Sequence, residues 1–360
     1  MVDPLRFVRR DFAQLEAYKP VLPLEELARE IGVPVEQLVK LDANENLYGP
    51  SEAVRQAVAD ADLHIYPDPA ASALRDALGE YLGVSPDCIV AGAGSDDLID
   101  VLIRLVLPER IVTTPPTFGM YGFLARITGA GVVEAPRNAD FALDLEGIQA
   151  AVEAGARIVF IASPNNPTGN AATEEEIECL CQMDAIVVVD EAYAEFANTS
   201  AVECIERHPN LVVLRTFSKW AGLAGLRVGY AVADEALCAR MMAIKQPYNV
   251  NVAGDVAARA ALQSRAEIFE TVRMLVEERD RMVGQLARFS WLKPYPSDAN
   301  FVLFYVEGRR AGDVAAALRT RGVLVRHYDR PDLQQCIRIS AGRPEDTDRL
   351  VSALLEVEQA

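Results

Sequence analysis

The sequence predicts an α/β protein: a mostly parallel, seven-stranded sheet in a large domain, followed by a smaller α+β domain. Three observations carry this. Seven brief runs rich in Val and Ile, "CIVAGAGS", "RIVTTPP", "GVVEAP", "ARIVFIASP", "AIVVVDEA", "NLVVLRTFS" and "LRVGYAVA", lie between Cys88 and Ala233. Helical stretches separate several of them, the pattern of strands covered on both faces. Most runs end in Gly, Pro, Ser or Asp, which places polar residues where open α/β sheets bind ligands. From about Asn251 the pattern changes to a long helical stretch, then "NFVLFYV", the helix "AGDVAAALRTRG", the strands "VLVRHY" and "CIRISAG", and a last helix.

The elements divide the chain into three parts. Residues 1–50 form an arm, with a helix at "PLEELAREIG" and the irregular segment "LDANENLYGPS", and are expected to join the small domain. Residues 51–250 form the large domain and 251–360 the small one. A chain of 360 residues suits one large and one small core. Its 51% hydrophobic and 24% charged content is that of a globular protein. The net charge of −18 disfavours nucleic acid and anionic membranes as partners, so an anionic ligand needs a local group of arginines. Six cysteines without a C-x-x-C pair and three scattered histidines point to no metal site and to a reducing cytoplasmic setting. No stretch has signal-peptide or transmembrane character.

Polar residues at the run ends are the candidate site. In "VAGAGSDDLIDVLIRLVL", Ser95 is placed as the cap of a helix whose free N–H groups and preceding glycines suit a phosphate; a plain capped turn is the alternative. The side chains of Asp96 and Asp97 must then turn away from that anion. Phe118 or Tyr121, in "TPPTFGMYGF", can wall a flat ring or pack the core. "SPNNPTGN" fixes a rigid turn that displays amide groups, and a structural turn needs no second asparagine. Asp190 follows four apolar residues, a costly place for a carboxylate without a cation unless it caps a helix. Tyr193 lies on the same side if a helical turn begins there.

In "RTFSKWAGLAGLRVGY", Lys219 stands between a hydroxyl pair, Thr216 and Ser218, and Arg227. It is either a solvated loop lysine or a desolvated amine able to form a Schiff base. Together the pieces describe one ligand. It has a phosphate (Ser95, Thr216, Ser218, Arg227), a flat ring, a phenolic oxygen (Asn166, Tyr193), a basic ring nitrogen (Asp190) and an aldehyde (Lys219). Pyridoxal 5′-phosphate has all five features.

The order of "LDANENLYGPS", "YPDP", "GAGSDDLI", "PPTFGMY", "SPNNPTG", "VVDEAYAEF", "RTFSKWAGLAGLRVGY", "PYNVN" and "IRISAG" resembles that of fold-type I aminotransferases, and is most similar to the histidinol-phosphate aminotransferase family. The resemblance spans the chain from Tyr18 to its end. It implies that Lys219 holds the cofactor aldehyde and shuttles a proton, that Asp190 keeps the pyridine nitrogen protonated, and that Asn166 and Tyr193 bind the phenolic oxygen. Ser95, Asp96, Thr216, Ser218 and Arg227 are the implied phosphate residues, with Phe118, often tyrosine in the family, stacked on the ring. It also implies a homodimer with sites at the interface, where Tyr66 of "YPDP" reaches the partner's cofactor phosphate.

For substrate, the resemblance points to Arg326 and Arg338, whose forked donors suit both the phosphate of histidinol phosphate and the carboxylate of 2-oxoglutarate. Tyr18 and Asn46 are the expected lid contacts. The implied reaction is ping-pong transamination. Aromatic amino-acid transamination and phosphoamino-acid decarboxylation are the alternatives, and length and charge leave no room for an added DNA-binding region.

Overall fold

A computed structural model describes residues 2–10, 12, 23–197 and 199–359. The arm supplies β1 (Val39–Leu41). The seven apolar runs become β2 (Ile89–Gly92), β3 (Arg110–Thr113), β4 (Gly131–Glu134), β5 (Ile158–Ala162), β6 (Ile186–Asp190), β7 (Leu211–Thr216) and β8 (Gly229–Ala233). The strands β9 (Leu292–Pro294), β10 (Phe301–Val306), β11 (Val323–His327) and β12 (Cys336–Ser340) follow.

All seven runs lie in one sheet, ordered β2-β8-β7-β6-β5-β3-β4. The pairs from β7 through β6, β5 and β3 to β4 are parallel, while β8 runs antiparallel between β7 and β2. The second sheet has the order β1-β11-β12-β10-β9, with β1 parallel to β11. Val39 and Leu41 of the arm thereby join the core of Met282, Leu286, Val302 and Ile337. Two strands escape the sequence pattern: β1 and β9 have only three residues each, too few to show a period.

Successive strand residues point to opposite faces. Val188 of β6, Val212 and Leu214 of β7 and Phe160 of β5 pack with helices Ser95–Val106 and Met120–Thr128. Val187, Val189, Val213 and Tyr230 pack on the other face, with helices Ser72–Leu82, Leu145–Glu153 and Val252–Gln263. This alternation sorts the polar residues at the strand ends into two layers. Asp190 and Thr216 belong to the first face by parity; Glu191, Arg215 and Tyr230 belong to the second.

The second layer is a buried ionic cluster. Arg215 donates through Nε and Nη2 to Glu191 Oε2, at 2.9 and 2.8 Å, and Nη2 also reaches Ser200 Oγ at 2.7 Å. Glu191 Oε1 accepts from the Ala201 N–H at 2.5 Å. Glu195, 98% shielded by its surroundings in its side chain, lies 3.7 Å from Arg215 and neither of its oxygens accepts a hydrogen bond among the described residues. One guanidinium thus faces two carboxylates, and its hydrogen bonds go to Glu191. Burial pushes the Glu195 pKa up to about 7, against the pull of Arg215.

The folded-state value of Glu195 lies above its unfolded value near 4.5, so its contribution to stability is complete below that value and is lost as pH rises through about 7. The variant Glu195→Gln should therefore gain stability over the parent as pH is raised from 5 to 8. The difference, on the order of 2 kcal/mol, is to be read from urea unfolding at each pH.

Candidate active site

A cavity of about 420 Å³ opens at the C-terminal ends of β5, β6 and β7, between this sheet, the arm segment 42–45 and the second sheet. Its lining includes Ser95, Asp96, Phe118, Asn166, Asp190, Tyr193, Thr216, Ser218, Lys219, Arg227, Arg326 and Arg338. Residues separated by up to 296 positions in sequence, Asp42 and Arg338, are brought to one hollow.

At one end, β2 passes through a tight turn into helix Ser95–Val106. Gly94, at φ 88°, occupies the N-cap position, so Ser95 is the first helical residue and not the cap expected for it. Two glycines let the chain close up here. A Cβ on Gly94 would come 2.8 Å from the Arg227 guanidinium, and one on Gly229 would lie 2.7 Å from Ser95 N. Arg227 donates to Asp96 Oδ2 at 3.2 Å, while Asp97 folds back to accept from Ala93 N and Asn249 Nδ2. The aspartates that a phosphate would repel are thus occupied, one by a cation and one by its own turn. Burial raises the Asp96 pKa, with Arg227 opposing. Thr216 and Ser218 share a hydrogen bond of 2.9 Å, which presents both hydroxyls side by side.

Asp190 ends β6 and is deeply buried. Its Oδ2 accepts from the Tyr121 hydroxyl at 2.7 Å and its Oδ1 from the Ala192 N–H at 3.1 Å. No lysine, arginine or histidine pairs with it among the described residues. Burial pushes its pKa up to about 6, with the two hydrogen bonds opposing. Helix capping does not explain its position: the following turn, Ala194–Phe196, is capped at Tyr193. Of the two aromatic candidates, Phe118 is half-buried on the cavity wall, whereas Tyr121 is fully buried and stacks on Phe160 at 5.0 Å.

Lys219 Nζ donates to the Ala43 carbonyl at 3.2 Å and stands 5.7 Å from the centre of the Tyr193 ring. Desolvation, then the positive charge of Arg338, pushes its pKa down to about 8. It is no solvated loop lysine. Tyr193 accepts from Asn44 Nδ2 at 2.9 Å.

The two asparagines of "SPNNPTG" have separate tasks. Asn165 is fully buried and ties the turn together through Pro116, Thr117 and Thr168. Asn166 faces the cavity, and its Oδ1 accepts from Arg338 at 2.6 Å, while its amide N–H groups meet no partner among the described residues. Arg338 also donates to the Asp42 carbonyl at 2.5 Å and lies over the Phe301 ring, 5.2 Å from its centre. It has no carboxylate partner among the described residues, and its buried Nε has no hydrogen bond. Arg326 likewise pairs with no carboxylate and lies 5.6 Å from the Tyr328 ring centre.

One expectation fails on geometry. Asn46 does not line the cavity: its amide donates to the Trp220 carbonyl and Thr271, and its Oδ1 accepts from Tyr48 N, so all of it is spent anchoring the arm. Asn44 stands in the site instead, joined to Tyr193, Ser340 and Asn300. Nothing in "LDANENLYGPS" distinguishes the two, because an irregular segment has no period to say which side chain points inward. Tyr66, expected at a partner's phosphate and not in its own chain's site, is 79% exposed with its ring 4.8 Å from that of Tyr248, and it does not line this cavity. Tyr18 lies outside the described residues.

A desolvated lysine, an unpaired buried carboxylate and a turn-borne anion cradle at the strand ends define a site for carbonyl–amine chemistry on an anionic ligand. The chain belongs to the class I and II aminotransferase family, whose model matches residues 36–354. It is 48% identical to the histidinol-phosphate aminotransferase of Roseiflexus castenholzii, over 97% of this chain and 98% of that one. The histidinol-phosphate aminotransferase of a Dehalococcoides mccartyi strain is 43% identical over 98% of both chains. Among solved structures, that of histidinol-phosphate aminotransferase from Sinorhizobium meliloti in complex with pyridoxal 5′-phosphate has a TM-score of 0.87 and 32% identity, covering 98% of this chain and 97% of that one.

The lowered pKa of Lys219 has a direct chemical readout. At pH 8 about half of its amine is neutral, against less than about 1% for an ordinary lysine. Formaldehyde and borohydride should label Lys219 with a pH midpoint near 8 in peptide mass spectra, well before the surface lysines. A midpoint above 10 would show an undisturbed amine.

Proposed function

We propose that this protein is a pyridoxal 5′-phosphate-dependent aminotransferase that takes the amino group of histidinol phosphate and passes it to 2-oxoglutarate. The observation that carries the reading is the meeting, in one cavity, of the Lys219 amine with lowered pKa and the Asp190 carboxylate that no cation neutralises. The relatives above, all histidinol-phosphate aminotransferases, support the choice of donor.

The residues fit the cofactor by their unmet needs. Asp190 lacks a positive partner, which a protonated ring nitrogen supplies. The Thr216–Ser218 hydroxyls, the N–H groups opening helix Ser95–Val106, and Arg227 suit a phosphate. Phe118 offers a ring face, and the free amide of Asn166 and the Tyr193 hydroxyl suit a phenolic oxygen. When bound, the cofactor supplies an electron sink for the pair left behind as the substrate Cα loses its proton.

The chain's own groups do the rest. Lys219 would hold the cofactor through its amine and, as the free amine, would take the proton from the substrate Cα. Arg338 and Arg326 hold the substrate's anion, a phosphate ester in one half-reaction and a carboxylate in the other. In this reading residues 51–250 carry the cofactor, and residues 251–360 with the arm 1–50 close over the substrate. The six free thiols suit the cytoplasm. In this reading the chain works as a homodimer in which Tyr66 serves a second copy's phosphate site, and the exposed apolar run of Leu63, Ile65 and Tyr66 supports it.

A donor panel with 2-oxoglutarate tests the assignment. Histidinol phosphate should give the highest kcat/KM; a preference for phenylalanine or tyrosine would move the substrate, and CO2 release from phosphothreonine would change the reaction. Lys219→Ala should lose the pH-dependent visible absorption of the bound cofactor. Arg338→Ala should lower kcat/KM for donor and acceptor alike by about 100-fold, as expected for loss of two charge-assisted hydrogen bonds, and Tyr66→Phe should weaken cofactor retention in a species of dimer mass by light scattering.

A further inference from the structure

Asp190 is held in an unusual way for a buried carboxylate. Its two oxygens are each met by one neutral donor, the Tyr121 hydroxyl at 2.7 Å and the Ala192 N–H at 3.1 Å, and by no cation among the described residues. A cation in Tyr121's place would stabilise Asp190 and also cancel its charge. A hydroxyl orients the carboxylate and leaves the charge in place.

Tyr121 is built to deliver that single bond. It lies in the first turn of helix Met120–Thr128, entirely buried. Its ring stacks on Phe160 of β5, with planes 7° apart, and meets the Phe118 ring edge-on at 5.5 Å. β5 is the neighbour of β6 and pairs Ala162 with Asp190, so the stacked ring is referenced to the same strand pair that carries the carboxylate. Among the described residues the phenol donates to Asp190 alone. Both aromatic candidates of "TPPTFGMYGF" line the cavity, and the hydroxyl of Tyr121 is bonded to Asp190.

We propose that Tyr121 is a positioning residue that aims Asp190 and keeps it ionised without neutralising it, so that the carboxylate is available to a cationic ring nitrogen. This rests on the cofactor reading above and deepens it. The other titratable groups facing Asp190 are Asp96, from helix Ser95–Val106, Glu191 beside it on the chain, and Tyr193. Ionised Asp96 and Glu191 favour the protonated form of Asp190, which leaves Tyr121 and the Ala192 N–H to oppose them.

The test is Tyr121→Phe, which keeps the stacked ring and removes only the hydroxyl. In the apoprotein, carbon-13 NMR of the aspartate carboxyls should show the Asp190 midpoint displaced to higher pH. Equilibrium dialysis with pyridoxal 5′-phosphate should give a dissociation constant raised about tenfold, the size expected for one hydrogen bond to a charged acceptor. The acid limb of binding should move to higher pH as well. Incorporation of 3,5-difluorotyrosine at position 121, a stronger donor, should displace the Asp190 midpoint the other way and serves if the phenylalanine variant folds poorly by near-ultraviolet circular dichroism. An unchanged midpoint in both variants, or unchanged binding in a folded Tyr121→Phe, overturns the proposal. Failure of the parent protein to bind the cofactor overturns the functional reading instead, and the carboxyl titration then judges the Tyr121–Asp190 pair by itself.

Discussion

The structure depends on the ion pair between Arg215 and Glu191. It joins the ends of β6 and β7 on the face away from the cavity, and the adjacent residues, Asp190 and Thr216, are thereby fixed on the face toward it. A strand offers only two sides, so a polar strand end with one buried side must satisfy the other side too. Here the hidden side pairs the Arg215 guanidinium with Glu191 and Ser200, with Glu195 nearby, and the open side is left with unmet groups. Removing one partner of such a pair typically costs about 3–5 kcal/mol, because the other charge is stranded in a low-dielectric interior. The same loss would release the segment that carries Lys219, four residues beyond Arg215.

The arm is the second element on which the site relies. Asn44 donates its amide to Tyr193 and exchanges two hydrogen bonds with Ser340, so a residue of the arm is held by both sheets at once. Arg338 repeats the pattern, reaching Asn166 on one side and the Asp42 carbonyl on the other. The cavity wall is therefore cross-braced by hydrogen bonds between residues 149 to 296 positions apart in sequence, and its geometry is a property of the whole fold rather than of any loop.

Much of this was legible in the sequence. The seven strands of the main sheet were visible because buried parallel strands are continuous apolar runs, and the chemistry-bearing residues because each interrupts such a run at its end. Asp190, Lys219, Asn166 and Arg227 all stand out in this way, and all four line the cavity. Residues whose role comes from tertiary contact were not legible. Asn44 and Asn46 look equivalent until the arm is placed. Tyr121 looks like Phe118 until one is seen to be buried and bonded and the other half-open. Ser95 was misread as a cap because glycine at positive φ can take that position without any side-chain signal.

The distribution of charge within the cavity has a consequence for what can occupy it. Where β6 ends, the lining offers Asp190, a carboxylate with no counterion among the described residues; elsewhere it offers the guanidinium groups of Arg338 and Arg326, which have none among them either. The hollow is therefore an electric dipole, set inside a molecule whose overall charge is −18. A simple anion meets repulsion from the bulk of the surface and from Asp190, and is welcomed only at Arg338 and Arg326 or at the cradle beside Arg227. A neutral molecule gains nothing from either pole. The occupants that gain most are dipolar molecules, inserted with their positive end toward β6, and orientation in the site is thus imposed by the field before any single hydrogen bond forms.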